Sequence, residues 1–182
     1  MLMSASSSEQ LSVNERLFDN SQVTPAVRVN DTTDIWLAES GGYRQQPSLP
    51  FATTTIDHAR YGRLKKSADA ELSVNLGLYS ITFNNDTTLD REALKHYRQF
   101  CLEAERQGFR YFLEVFAPNR PVQPIGNEAR FVNDCIVRTL AGIPNAGRPL
   151  FLKIPYYGPR AMEALTRYDT SLVVGILGGS SG

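Results

Sequence analysis

One lysine of this sequence lies in surroundings that favour chemistry at its side chain. Lys153 is flanked by the apolar run Leu150 to Leu152 and by Ile154. Removing an ammonium group from water is costly, so an apolar environment favours the uncharged amine. The uncharged amine is the form that attacks a carbonyl carbon to make a Schiff base. The structural alternative is that Lys153 extends to the rim of the protein or pairs with a carboxylate.

A glutamate occupies the equivalent late position in the preceding predicted strand, in the segment Leu113-Glu114-Val115. Adjacent parallel strands lie about 4.8 Å apart, so Glu114 and Lys153 are expected to be within reach of each other. An acid beside a lysine suits carbonyl chemistry, because a carbinolamine must lose water and a carbon acid must exchange a proton. The same two residues could instead form a purely structural buried salt bridge. Burying ionic groups in two successive strands costs free energy of folding, however, which favours a catalytic role.

Further candidates follow other predicted strands. Gly178, Gly179 and Ser180 come after the last apolar strand, where glycines and hydroxyl groups can hold phosphate oxygens, although an ordinary loop has the same composition. Tyr156 follows the lysine strand and is a candidate for the mouth of a site or for a proton donor, with aromatic packing as the alternative. Asp57 ends a threonine-rich predicted strand and is a candidate proton carrier, with a loop cap as the alternative.

The elements that must position these residues alternate between strands and helices. Strands are predicted over 52–56, 72–83, 111–116, 149–154 and 172–177. Helices are predicted from Thr87 to Gly108, along the apolar stripe from Ala129 to Ile143, and after Pro159. Without hairpin signals between them, the later strands are expected to be parallel, with sites at their carboxyl ends. The pattern predicts an α/β fold, either a partial (β/α) barrel of TIM type or an open doubly wound sheet.

The composition is that of a globular domain and restricts the partners. Of the 182 residues, 42% are hydrophobic and 21% are charged, which is ordinary for a folded chain. Nineteen basic and nineteen acidic residues give no net charge, which argues against nucleic acid or an anionic membrane as a partner. Apolar runs are far shorter than the roughly 20 residues of a membrane span, so a cytoplasmic location is expected.

Residues 1–22 are rich in polar residues and predict a flexible tail, which leaves 23–182 as the barrel domain. Cys101 and Cys135 each fall on the apolar side of a helical pattern and predict reduced thiols. With only two histidines in the chain, no metal site is expected.

The segment from Phe151 to Tyr157, followed after a short helix by the segment from Val173 to Gly179, resembles the class I aldolases. The group in question contains deoxyribose-phosphate aldolase, the archaeal-type fructose-bisphosphate aldolase and tagatose-bisphosphate aldolase. The resemblance spans about 72–182 and implies that Lys153 is the Schiff-base lysine, that Gly178 and Gly179 bind substrate phosphate, and that no cofactor is required. Leu113-Glu114-Val115 resembles the fifth-strand segment of the tagatose-bisphosphate branch, which implies proton transfer by Glu114.

Two features depart from that family. Asp57 lies too close to Lys153 in the chain for five βα units to fit between them, and the sequence stops where the family continues into a seventh helix and an eighth strand. A complete barrel typically needs about 250 residues, so a partial barrel with open strand edges, doubtful activity and possible homo-oligomer formation is expected.

The sequence thus predicts a lyase that forms a lysine Schiff base with a small phosphorylated sugar or aldehyde and cleaves or forms a carbon–carbon bond. Two alternatives stay open. One is a non-catalytic phosphate-binding, sugar-binding or regulatory protein on the same scaffold. The other is a barrel isomerase that uses Glu114 as its base and Lys153 as an electrostatic clamp.

Overall fold

A computed structural model describes residues 1–31, 45–65 and 74–178 of the chain. Strands and helices alternate along most of this length, as the sequence predicts. The strands are β1 Leu2–Met3, β2 Ala26–Arg28, β3 Asn30–Asp31, β4 Phe51–Ala52, β5 Leu76–Ile81, β6 Arg110–Val115, β7 Leu152–Ile154 and β8 Val174–Ile176. The helices are α1 Ala5–Ser8, α2 Ile56–Tyr61, α3 Thr87–Gln107, α4 Glu128–Ala141 and α5 Pro159–Tyr168, with a π-helical segment at Glu9–Asn14 and a 3₁₀ turn at Asn145–Gly147.

Six of the strands form one sheet in the order β1-β2-β5-β6-β7-β8, and every neighbouring pair is parallel. β3 and β4 form a separate antiparallel pair. The prediction of an α/β fold with a parallel sheet is therefore confirmed. Within the described ranges the strands follow one another across the sheet in chain order, without the reversal that defines a doubly wound sheet. The doubly wound alternative does not describe this arrangement.

Helix α3 shows how local sequence sets the element bounds. Asp86 caps its beginning, because its carboxylate accepts hydrogen bonds from the backbone N–H groups of Thr88 and Leu89. Asp90 reaches back and accepts from the N–H group of Asp86. Gly108 ends the helix in the left-handed conformation, with φ of 60°. The predicted helix is confirmed, with Asp86 rather than Thr87 as its capping residue.

The two faces of the sheet are covered differently. The main core lies on one face, where α2, α3, α4 and α5 all contribute buried side chains to it. A smaller cluster contains Ala26, Leu78 and Phe112, with Leu76 and Phe151 packed against it. The members of this second cluster alternate along the strands with residues of the main core, so they point to the opposite face. In the described ranges no helix contributes to this cluster, and its face of the sheet is called the inner face below.

The first residues of the chain belong to the sheet. β1 pairs in parallel with β2 through Leu2 with Ala26 and Met3 with Val27, and Ser8 at the end of α1 is fully buried. This differs from the flexible tail that the composition of 1–22 predicts. The difference arises because these residues pair through their backbone groups and Met3 is buried, neither of which composition shows.

Both cysteines are free, as predicted. Cys101 is buried in the main core, and its Sγ lies 3.3 Å from the hydroxyl oxygen of Tyr111. Burial raises the pKa of Cys101, and burial together with nearby carboxylates raises the pKa of Cys135 to about 12. In the described part of the chain, no helix is long and apolar enough to cross a membrane.

Candidate active site

The inner face carries two layers of side chains, one apolar and one polar. In four neighbouring strands an apolar residue is followed two positions later by a polar one, which places both on the same face. The apolar layer is the second core cluster, in which Phe112 and Phe151 stack with ring centroids 4.6 Å apart. The polar layer lies nearer the carboxyl ends of the strands and consists of Arg28 of β2, Ser80 of β5, Glu114 of β6 and Lys153 of β7.

Lys153 and Glu114 meet in this polar layer. They are register partners in the parallel pair β6 and β7, and the Lys153 Nζ donates a hydrogen bond of 2.5 Å to Glu114 Oε1. The glutamate side chain is 2% exposed, whereas the lysine side chain is 31% exposed. The predicted contact between these residues is therefore present, and the lysine nitrogen lies against a buried carboxylate rather than in bulk solvent.

The second oxygen of the same carboxylate has partners of its own. The Ser80 hydroxyl donates to Glu114 Oε2 at 3.1 Å, and Ser80 is the register partner of Glu114 in the pair β5 and β6. Arg28 Nη1 lies 3.8 Å from Glu114 Oε2 and donates to Ser80 Oγ at 3.2 Å. Glu114 is thus contacted by a lysine at one oxygen, and by a serine and an arginine at the other.

Asn30 fixes the backbone at Ser80. The ladder between β2 and β5 pairs Val27 with Gly77 and Arg28 with Leu78. Beyond that point the Asn30 side chain takes the place of the backbone hydrogen bonds between the strands. Its Oδ1 accepts from the Ser80 N–H and its Nδ2 donates to the Ser80 carbonyl, both at 2.7 Å. Asn30 and Ser80 are each 3% exposed. Ser80 is therefore held by two buried hydrogen bonds at the position from which it contacts Glu114.

This arrangement can transfer a proton between a lysine and a carboxylate that is shielded from solvent. Moving one proton from Lys153 Nζ to Glu114 Oε1 gives a neutral amine and a neutral acid, which carry no buried charge. The neutral amine is a nucleophile, and the acid beside it can return the proton to a reacting oxygen or carbon. Lys153 is the partly exposed member of the pair and so is the one that a dissolved compound can reach.

Other predicted site residues lie near this end of the sheet or outside the described ranges. Tyr156 follows β7 and is 56% exposed. Gly178 follows β8 and has open space where a Cβ atom would lie. Gly179 and Ser180 lie outside the residues that the structure describes.

The prediction for Asp57 needs correction, because Asp57 does not end a strand. Thr55 caps helix α2, and Asp57 lies in the first turn of that helix, where its Oδ2 accepts from the Lys65 N–H at 3.0 Å. Helix α2 packs into the main core, and its Arg60 donates to the carbonyl of Gln107, just before β6 begins. Asp57 is therefore on the helix side of the sheet, near the amino end of β6, away from Lys153.

Sequence reasoning missed Arg28, Asn30 and Ser80. A signal was present for two of them, since Arg28-Val29-Asn30 alternates polar and apolar residues at the end of a short apolar strand. The single serine in the apolar strand β5 gave a weaker signal, because a serine is common in strands of any role.

Comparison of the chain with protein-family models, with curated proteins and with solved structures gives no significant match. Among the described residues, no group of three or more histidine, cysteine, aspartate or glutamate side chains is arranged to hold a metal ion. Fold and site together define an α/β protein with a parallel sheet and a lysine–glutamate pair at the carboxyl ends of its strands.

Proposed function

We propose that this protein is a class I aldolase-like lyase in which Lys153 forms a Schiff base with a small phosphorylated sugar or aldehyde. The observation that carries the proposal is the 2.5 Å contact between Lys153 Nζ and Glu114 Oε1 on the inner face of a parallel sheet. Sites of parallel α/β folds lie at the carboxyl ends of the strands, which is where both residues are found.

The proposed reaction uses one lysine and one carboxyl group. Glu114 takes a proton from Lys153, and the free amine adds to the substrate carbonyl carbon to give a carbinolamine. Glu114 returns the proton to the carbinolamine hydroxyl, and water leaves to give an iminium ion. Glu114 then removes the proton of the substrate's β-hydroxyl, the carbon–carbon bond breaks, and its electron pair forms an enamine on Lys153 while an aldehyde is released. Glu114 protonates the enamine carbon, and water hydrolyses the resulting iminium ion.

A partial (β/α) barrel is the finer fold that we propose for this chain. Three observations support it: the strands are parallel, they follow chain order across the sheet, and the described helices that join the core all pack on one face. The apolar and polar layers on the inner face are also typical of a barrel interior, which is filled by side chains in layers. Tyr156 and Gly178 follow β7 and β8 at the same end and remain candidates for the mouth of the site and for phosphate binding.

A second candidate function is an isomerase that removes a proton from carbon with Glu114 and uses Lys153 only as a cation. The ion pair favours this candidate, because a lysine bonded to a buried carboxylate can stabilise a developing enolate without a covalent bond. The two candidates differ in whether a covalent intermediate forms on the lysine.

Reductive trapping tests the proposal and separates the two candidates. The full chain is incubated with dihydroxyacetone phosphate or glyceraldehyde 3-phosphate and then reduced with borohydride, and the modified lysine is located by peptide mass spectrometry. We expect modification at Lys153, and its loss in Lys153→Met. Lys95 is a matched internal control, because it also pairs with a glutamate, Glu92, but with both side chains well exposed at the protein surface. Modification of Lys153 no greater than that of Lys95 with both compounds would contradict the Schiff-base proposal.

A further inference from the structure

We infer that Arg28 and Ser80 are positioning residues that restrict proton exchange by Glu114 to a single oxygen, Oε1, the one that faces Lys153. This inference rests on the proposed function and deepens it. It assigns a task to two residues of the inner face that neither give nor take a proton in the proposed reaction.

The direction of each hydrogen bond follows from the donors available. A guanidinium group has only donors, so the contact of 3.2 Å between Arg28 Nη1 and Ser80 Oγ must be accepted by the serine oxygen. Ser80 has a single hydroxyl hydrogen, and the 3.1 Å contact with Glu114 Oε2 takes it. Arg28 therefore turns the serine hydroxyl toward the glutamate.

The two oxygens of Glu114 are consequently unlike. Oε2 accepts from Ser80 and lies 3.8 Å from the Arg28 guanidinium, so negative charge is stabilised there and a proton on that oxygen would face a donor and a cation. Oε1 contacts Lys153 Nζ, the group that holds a proton to be transferred. A proton that Glu114 accepts is thus directed to Oε1, where it is available to the lysine and to a compound bound to it.

Rigidity makes this arrangement effective. Ser80 is 3% exposed and its backbone is held by both polar atoms of the Asn30 side chain, while the register of β5 and β6 aligns Ser80 with Glu114. A carboxyl group in such surroundings has little freedom to rotate and exchange its two oxygens. Holding an acid or base in one geometry increases the rate of proton transfer more than it increases the affinity for a carbonyl compound.

The test separates imine formation from proton transfer at carbon. With dihydroxyacetone phosphate in D₂O, two quantities are measured on the full chain: the imine trapped on Lys153 by borohydride, and the exchange of deuterium into the carbon next to the carbonyl. In the exchange one C–H bond breaks and its proton goes to Glu114; that proton is replaced by a deuteron from the solvent, and Glu114 then delivers the deuteron to form a C–D bond. The variants are Ser80→Ala, Ser80→Thr, Arg28→Met and the double variant Arg28→Met with Ser80→Ala.

We expect Ser80→Ala to slow the exchange about 10- to 100-fold while the trapped imine at saturating compound changes less than about threefold, since a misplaced general acid–base costs rate rather than adduct. Ser80→Thr keeps the hydroxyl and should keep the exchange rate. Arg28→Met should slow the exchange, and the double variant should match Ser80→Ala alone, because both residues act through one oxygen. Ser48→Ala is the matched control, as Ser48 is also buried but its hydroxyl donates to Asn119.

An unchanged exchange rate, an equal fall in exchange and trapped imine, or additive losses in the double variant would each overturn the inference while leaving the Schiff-base proposal intact. A wild-type chain that traps no imine on Lys153 would contradict the proposed function and this inference with it. If Ser80→Ala does not fold, Arg28→Met decides the matter alone, because the Arg28 side chain is 30% exposed and its replacement leaves the core in place.

Discussion

Replacing the two members of the central ion pair one at a time should destabilise the protein unequally. Lys153→Met leaves the Glu114 carboxylate, 2% exposed, without its closest cation. Glu114→Gln instead leaves the ammonium group of Lys153 on a side chain that is 31% exposed and can reach water. The structure therefore predicts that losing the lysine costs more than losing the glutamate charge.

The size of each loss in stability follows from the partners that the remaining charged group keeps. Removing one partner of a fully buried pair costs about 3–5 kcal/mol. In Lys153→Met the carboxylate keeps its bond from Ser80 and the nearby Arg28, so we expect the cost to fall to about 2–3 kcal/mol. In Glu114→Gln the buried charge itself is removed, and a loss of about 1 kcal/mol is expected, that of a hydrogen bond. The two variants should thus differ by about 1–2 kcal/mol.

Urea unfolding at neutral pH, followed by far-UV circular dichroism and by tyrosine fluorescence, gives the free energy of unfolding of each variant. Lys95→Met and Glu92→Gln are the matched controls in an exposed pair, and each should change stability by less than about 0.5 kcal/mol. Equal losses in Lys153→Met and Glu114→Gln, or a larger loss in the second, would refute the reasoning, because it depends on the different burial of the two charges.

Two further predictions concern groups outside the site. The pKa of Cys135 is raised to about 12, so its thiolate is scarce at pH 8. Alkylation of Cys135 by iodoacetamide should therefore be at least about tenfold slower in the folded chain than in urea. Equal rates would contradict the raised pKa. Gly108→Ala should cost about 1 kcal/mol in urea unfolding, because φ at Gly108 is 60°. Gly142→Ala, also at a helix end but at φ of −91°, should be neutral or stabilising, and a loss as large as that of Gly108→Ala would count against the backbone explanation.

Elements with strong local signals could be predicted from the sequence. Helix α3 has a capping aspartate, a buried stripe and a terminal glycine, and each of these acts within a few residues along the chain. The central strand β6 was also predictable, because a buried parallel strand is nearly continuously apolar. Edge strand β1 was missed, since two apolar residues carry no periodicity.

The threonine run before Asp57 predicts a strand, whereas the structure has a helix start there. Three consecutive threonines favour a strand by their β-branched side chains, yet Thr55 is used as the cap of helix α2. The buried residues Ile56 and Ala59 three positions apart were the competing helical signal. A capping role changes the meaning of a β-branched residue, and propensity alone does not reveal it.

Half of the polar layer could be inferred from position along the strands. Lys153 and Glu114 each interrupt an apolar strand near its carboxyl end, and their register follows from the predicted parallel pairing. Arg28 could not be placed in the same way, because its contact with Glu114 passes across β5 from a strand two positions away in the sheet. The contact depends on the length of the arginine side chain and the shape of the sheet, which no local pattern encodes.

Asn30 has a consequence for how the surrounding sequence can change. Its backbone belongs to the antiparallel pair with β4, while its side chain bonds the backbone of β5 at Ser80. One residue therefore joins two sheets, because its strand pairs with β4 and its side-chain amide group bonds the backbone of β5. Replacing Asn30 would remove both hydrogen bonds that link the Ser80 backbone to the strand that pairs with β4.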